Sequence, residues 1–450
     1  MRASSGVSRR FMKPRWPVLG VLLGWSSVVW AQAPGFLLET LEPGVTPPRA
    51  RHVAAPQLHQ EKLAAGASMA AVSADGKTVA VGERQRLRVV TPGGAERVLR
   101  QGRALTYHGL DVSADGALVH HRDGDGRAWL YDARSGRALL EVEATRSTLT
   151  PAGELLWWED NGALAQEAAA ARDTFAPRAA ARPLQARPGS CQLNRRRADG
   201  GVQRLWFPAC RDIVMVAADG SFAVIGAGGA AQRLDTSTGG TLPQDTFDAL
   251  TRVDLRSGAR AALGGAGLLR PQLSGDGRTA CGTPYEAFVV GRRELVRCQR
   301  DGGPPLELSV PLDGAPALRW TLLSLSQDGR WLAVGASSEE AGAARHAMHV
   351  LPIASGARPV FSAPGQMLSW VWLPGSHRVA LSLEQAETAD AYLVDPAQGW
   401  SARLGEQGRA ENIVGLRPVG ERADEVLMVR TRGADVAGAD VWRARVLPAR

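Results

Sequence analysis

The sequence predicts an all-β chain forming a single β-propeller of four-stranded blades, and three observations carry that prediction. The phrase Ser73-Ala74-Asp75-Gly76 returns at intervals of 37 to 67 residues almost to the C-terminus. The first two repeats each divide into four short β-prone runs separated by turn residues, the grammar of a propeller blade. A second signature, an apolar strand running into Asp-x-x-x-Gly, recurs in phase with the first.

Residues 1–33 read as a secretory signal peptide. A basic stretch (Arg9, Arg10, Lys13, Arg15) precedes the apolar run Trp16 to Trp30 and a small-x-small site at Ala31-Gln32-Ala33. The apolar run is shorter than the roughly 20 residues that a spanning helix needs and is broken by glycine and serine. This favours export to the periplasm or beyond over a membrane anchor. Ser8-Arg9-Arg10-Phe11 also resembles a twin-arginine signal, an alternative to the Sec route. Five of the 53 basic residues and no acidic ones precede residue 34, leaving 48 against 45, a net charge of +3. So mild a balance argues against nucleic acid as a partner, which calls for a concentrated Lys/Arg footprint. Arg195-Arg196-Arg197 reads as a solvated hairpin tip.

Residues 34–66, punctuated by proline, read as an extended segment, and the propeller occupies 67–450. The phrase recurs intact at Ser113-Ala114-Asp115-Gly116, and varied at Asp219-Gly220, Asp276-Gly277 and Asp328-Gly329. Weaker copies stand at Thr150-Pro151-Ala152-Gly153, Leu373-Pro374-Gly375-Ser376 and Pro418-Val419-Gly420. One blade per phrase gives eight blades, or seven if the weakest copy is not one. Asp-Gly suits a type I′ hairpin tip, with aspartate and glycine both at positive φ, and the repeated aspartates are expected to cap turn amides. Insertions are expected near 163–210 and 226–248. The second signature (Asp132 to Gly136, Asp254 to Gly258, Asp395 to Gly399) marks the turn between third and fourth strands. The final repeat offers only three strands, so the N-terminal segment is expected to supply the fourth and close the ring.

The four cysteines fall as two local pairs, Cys191 with Cys210 and Cys281 with Cys298, each bracketing a turn. In an exported chain this predicts two hairpin disulfides. The lack of Cys-x-x-Cys argues against metal ligation.

These phrases resemble those of the TolB-type, WD-repeat-like propellers of bacterial envelopes, over residues 67 to 447. The family phrase carries proline at its second position, which every Asp-Gly copy here lacks. The resemblance also covers the propeller domains of dipeptidyl-peptidase-like enzymes, but no Gly-x-Ser-x-Gly elbow is present and only about 33 residues precede the first blade, too few for TolB's α/β domain. It implies a free-standing exported propeller.

No linear motif marks a catalytic constellation, and no cofactor or metal is expected. His120-His121 and His346 with His349 point to opposite faces of their strands and chelate poorly. Asp123-Gly124-Asp125-Gly126 lacks the downstream glutamate of a calcium loop and reads as a hairpin turn. Trp157-Trp158 and Trp370 with Trp372 pack between blades or, in part, line a glycan-binding face; Trp157 and Trp158 point oppositely, leaving one of them exposed or covered by the insertion. The leading expectation is a non-catalytic module that binds another envelope or secreted protein. The alternatives are an enzyme with an axial metal or cofactor, lactonase- or lyase-like, and a glycan-binding propeller.

Overall fold

A computed structural model describes residues 57–91, 95–144, 146–160, 191–207, 213–227, 247, 249–265, 267–289, 295–309, 318–340, 343–385, 388–404, 411–419, 422–432 and 439–447. Residues 1–56, which include the expected signal peptide, most of the expected insertions near 163–210 and 226–248, and Cys210 lie outside them.

Short runs of β-branched and aliphatic residues, each cut by a turn phrase, pair with their chain neighbours everywhere except at the ring closure, giving eight four-stranded antiparallel sheets. The first blade is β2 (Met69–Val72), β3 (Val79–Gly82), β4 (Arg86–Val90) and β5 (Glu96–Gln101). The second is β6 (Gly109–Val112), β7 (Leu118–Arg122), β8 (Arg127–Asp132) and β9 (Ala138–Glu143). The third is β10 (Arg146–Leu149), β11 (Leu155–Asp160), β12 (Cys191–Arg196) and β13 (Val202–Phe207). The fourth is β14 (Ile213–Val216), β15 (Phe222–Ala227), β16 (Ala249–Asp254) and β17 (Arg260–Gly264).

The fifth blade is β18 (Leu268–Leu273), β19 (Thr279–Pro284), β20 (Leu295–Arg300) and β21 (Leu306–Ser309), with one short helix, α1 (Tyr285–Val289), after β19. The sixth is β22 (Leu318–Leu325), β23 (Trp331–Glu340), β24 (Ala343–Pro352) and β25 (Phe361–Pro364). The seventh is β26 (Gln366–Trp372), β27 (Val379–Gln385), β28 (Thr388–Asp395) and β29 (Trp400–Arg403). The eighth is β30 (Glu411–Pro418), β31 (Glu425–Arg432) and β32 (Ala439–Val446), completed by β1 (Leu58–Ala67) on its outer edge. The expected eight-bladed ring, sealed by an N-terminal strand on the C-terminal blade, is the observed fold.

The apolar residues sort into eight clusters, each shared by two neighbouring blades, and the last joins the eighth blade to the first through Ala67, Val72, Leu427 and Val441. Trp157 and Trp158 show why alternation matters. Adjacent on β11, they enter different clusters, and both are buried, one between blades two and three, the other between three and four. Neither is the exposed tryptophan that their opposite directions suggest.

Each phrase joins the innermost strand of its blade to the second. Gly76 N donates to Ser73 O at 2.9 Å, and Ser73 N to Thr78 O at 2.9 Å. Asp75 Oδ1 accepts from the Ser73 hydroxyl at 2.6 Å and from Lys77 N at 3.0 Å. The same set recurs at Ser113 with Asp115, Ser274 with Asp276, and Ser326 with Asp328. Only the glycine takes positive φ, +72° at Gly76, so these turns are not type I′. They are type I turns closed by a left-handed glycine, with the aspartate in ordinary backbone space and its side chain holding the turn.

The phrases also bind one blade to the next. Ala74 N donates to Ala114 O at 3.0 Å, Ala114 N to Pro151 O at 2.9 Å, and Asp276 N to Gln327 O at 2.8 Å. A Cβ at Gly277 would lie 2.1 Å from the buried Phe222 ring of the preceding blade, whereas one at Gly375 would meet nothing within 4 Å. Both have φ +64°. Gly375→Ala is therefore expected to cost only the left-handed strain, about 1–2 kcal/mol, and Gly277→Ala a further 1–3 kcal/mol of overpacking. Urea denaturation of the two variants checks the difference; equal costs would remove the inter-blade contact from the account.

Candidate binding site at the propeller axis

The phrase turns gather around the axis at one face and line an open cavity of about 740 Å³. Every blade contributes: Val72, Ala114, Pro151, Ala218, Gly275, Gln327, Pro374 and Pro418 are one residue from each. Of the innermost-strand residues there, Val112 is half-buried, whereas Leu110 and Leu149 turn into the inter-blade cores. Three carboxylates (Asp111, Asp219, Asp276) and three guanidinium groups (Arg252, Arg278, Arg417) also reach it.

The two sets of charges differ in how far they are already used. Asp219 accepts from Ser221 N and Oγ at 2.9 and 2.7 Å, and Asp276 from the Ser274 hydroxyl at 2.5 Å. Asp111 Oδ2 accepts from His120 Nδ1 at 3.0 Å. Burial would raise the Asp111 pKa, but the His120 hydrogen bond, with the nearby charges of His120 and Arg417, holds it below the usual carboxylate value. The guanidinium groups of Arg252, Arg278 and Arg417 have no hydrogen-bond or ion-pair partner among the described residues. Arg252 instead lies over the Phe222 ring, 4.1 Å from its centroid.

Asp111 also anchors a relay between blades two and three. A carboxylate can only accept, so His120 Nδ1 carries the proton facing it, and Nε2 lies 2.8 Å from the Ser147 hydroxyl. His120 is fully buried and Ser147 half-buried. Carboxylate, imidazole and hydroxyl thus form a hydrogen-bonded chain from Asp111 through His120 to Ser147. This constellation escaped the reading of the sequence because its members come from β6, β7 and β10, far apart in the chain and flanked by no shared motif.

His121 points the other way, as its place beside His120 in a strand requires. It stacks on Trp129 with ring centroids 5.3 Å apart and donates from Nε2 to Thr106 O at 3.0 Å. Burial lowers its pKa to about 4. The folded state thus holds it neutral while the unfolded chain protonates near pH 6.5, so its stabilising contribution is complete above 6.5 and is lost as pH falls toward 4. Between pH 7 and pH 5 the wild type is expected to lose about 2 kcal/mol more stability than His121→Phe. Urea midpoints at the two pH values test this, and parallel losses would refute it.

Other residues singled out in the sequence fall elsewhere. Arg195 is no solvated tip: it is buried in β12 and paired through Nε with Glu154 at 3.0 Å. Cys281 and Cys298 face each other across β19 and β20 in a disulfide with Cα atoms 4.1 Å apart. Cys191 is disulfide-bonded as well. Asp123 forms a hairpin turn, its Oδ1 accepting from the amides of Asp125 and Arg127 at 3.0 Å each. Among the described residues no three His, Cys, Asp or Glu side chains converge as metal ligands. No described helix is long and apolar enough to cross a membrane. Described tryptophan side chains, from Trp129 to Trp442, are buried or half-buried.

Fold and cavity together define an eight-bladed β-propeller with an open axial mouth. No protein-family model matches the chain. No curated protein matches it either. Among solved structures it is similar to the Dos1 propeller (11% identity, 87% of this chain and 95% of that one, TM-score 0.49). It is also similar to the Cps50 (Swd1) β-propeller domain of Myceliophteria thermophila (12% identity, 87% and 98%, TM-score 0.42). A prolyl endopeptidase is matched at 12% identity over 82% of this chain and 55% of that one, with TM-score 0.43. At these identities each is a likeness of fold alone.

Proposed function

We propose that the chain is an exported, TolB-like binding propeller of the bacterial envelope that docks another envelope or secreted protein at its axial mouth. The observation that carries the reading is the convergence of turns from all eight blades on one open cavity, which makes a rigid, preformed surface of the kind that binds without large ordering costs. The signal-like N-terminus and the disulfide between Cys281 and Cys298 support an oxidising destination. Immobilised protein is expected to capture a specific partner from envelope extract, and capture should fall when Gln327 and Gly275, on the mouth, are changed to tryptophan. Recovery of no specific partner, or capture indifferent to the mouth, would defeat the reading.

A second reading, hydrolysis through a serine nucleophile, is favoured by the Asp111, His120 and Ser147 chain. Here Ser147 Oγ would attack an acyl carbon while His120 takes its proton and passes it to the departing alcohol or amine, and water activated by His120 would then cleave the acyl-serine bond to release the acid. A fluorophosphonate probe separates the two: labelling lost in Ser147→Ala would support the enzyme, and no labelling would dismiss it.

A further inference from the structure

Resting on the docking proposal, we infer that the axial mouth recognises a single carboxylate set among apolar groups in a peptide segment of the partner. Three arginines line the cavity from separate blades, Arg252 on β16, Arg278 after the fifth phrase and Arg417 on β30, and none has a hydrogen-bond or ion-pair partner among the described residues. Arg252 lies over the Phe222 ring with its Nε buried, so the donors open to a ligand are those of the exposed Arg278 and Arg417. A guanidinium fork matches a planar carboxylate with two parallel hydrogen bonds. The cavity's own carboxylates do not compete for this role, since Asp111, Asp219 and Asp276 are each held by a partner in their own blade.

Charge balance selects among anions. Three carboxylates against three guanidinium groups leave the lining formally neutral, so it holds no surplus of positive charge to offset the several charges of a phosphate or an acidic run. One carboxylate on an apolar stem avoids this: its oxygens meet the free N–H donors while Val112, Pro151, Pro374 and Pro418, half-buried at the mouth, accept the flanking side chains.

The test uses fluorescein-labelled apolar heptapeptides carrying one central Glu, its Gln counterpart, or a phosphoserine, each with a free or amidated C-terminus. In fluorescence anisotropy the full chain is expected to bind the carboxylate peptides about tenfold or more tighter than the amidated Gln peptide. The free-terminus and Glu arms report whether a terminal or a side-chain carboxylate is read. Arg278→Gln combined with Arg417→Gln should erase the preference, while Arg127→Gln, whose side chain pairs with Glu141 away from the mouth, should keep it. Arg278 and Arg417 are exposed and unbonded, so the double variant is expected to keep the wild-type melting curve. Equal binding of Glu and Gln peptides, a preference for phosphoserine, or a preference that survives the double variant would each overturn the inference. Partner capture is scored separately. If capture at the mouth persists while the peptides go undistinguished, the docking proposal stands and the carboxylate assignment falls; if no partner is captured but the peptides are discriminated, the reverse holds.

Discussion

Removal of residues up to Ala67 is expected to open the ring and destabilise the protein by on the order of 5 kcal/mol or more, a large fraction of a domain's total. β1 has no hairpin link to β32; it arrives from the far end of the chain and pairs with it from Leu58↔Val446 to Ala67↔Ala439. Without it, β32 would present an unpaired edge and the eighth blade would lose Ala67 from the cluster it shares with the first. Lys62 with Asp440 at 2.8 Å, Glu61 with Arg443, and Arg430 with Gln60 would also be released. The truncated chain is expected to show a much lower urea midpoint and concentration-dependent association. A synthetic peptide of residues 57–67 should restore the midpoint. A truncated protein as stable as the full chain would contradict closure by β1.

Glu425→Ala is expected to cost about 2–3 kcal/mol, below the ~3–5 kcal/mol range for breaking a fully buried pair, because Arg422 and Arg445 are 37% and 42% exposed and keep their water when the carboxylate goes. Its carboxylate is fully buried at the same junction and gathers Arg422 Nη1 at 2.6 Å and Arg445 Nε at 2.5 Å, with Arg443 at 3.7 Å. Arg422 in turn donates to Ala74 O of the first phrase at 2.9 Å, so Glu425 links the last blade to the first. Glu425→Gln keeps the shape but not the charge and should cost less than the alanine variant. Chemical denaturation of both variants measures the effect, and a loss below 1 kcal/mol would show that the network contributes little.

The sequence announced the architecture through residues that act locally. Turn phrases and the strands they separate are decided by a few neighbouring side chains, so Ser73 to Gly76 and its copies marked the blades, and the missing fourth strand after Val446 pointed to the N-terminal donor. The turn type was misjudged because Asp-Gly is compatible with two hairpin geometries; the carboxylate accepts from the amide two residues on at Asp75 and equally at Asp219, where no serine opens the phrase. The site was far less legible. Asp111, His120 and Ser147 meet only because β6 lies beside β10, and Arg252, Arg278 and Arg417 converge only because the ring closes. The arginine run was misread for a similar reason: Arg195 finds Glu154 41 positions away, a pairing that no local pattern encodes.

Hydrogen exchange of the chain alone and in complex with its captured partner tests the docking account most directly. The account predicts slowed exchange at 71–72, 110–114, 148–151, 217–222 and 275–278 together, because these segments from different blades line one mouth. Slowed exchange confined to the outer strands β5, β9 and β13, with the mouth unchanged, would contradict it.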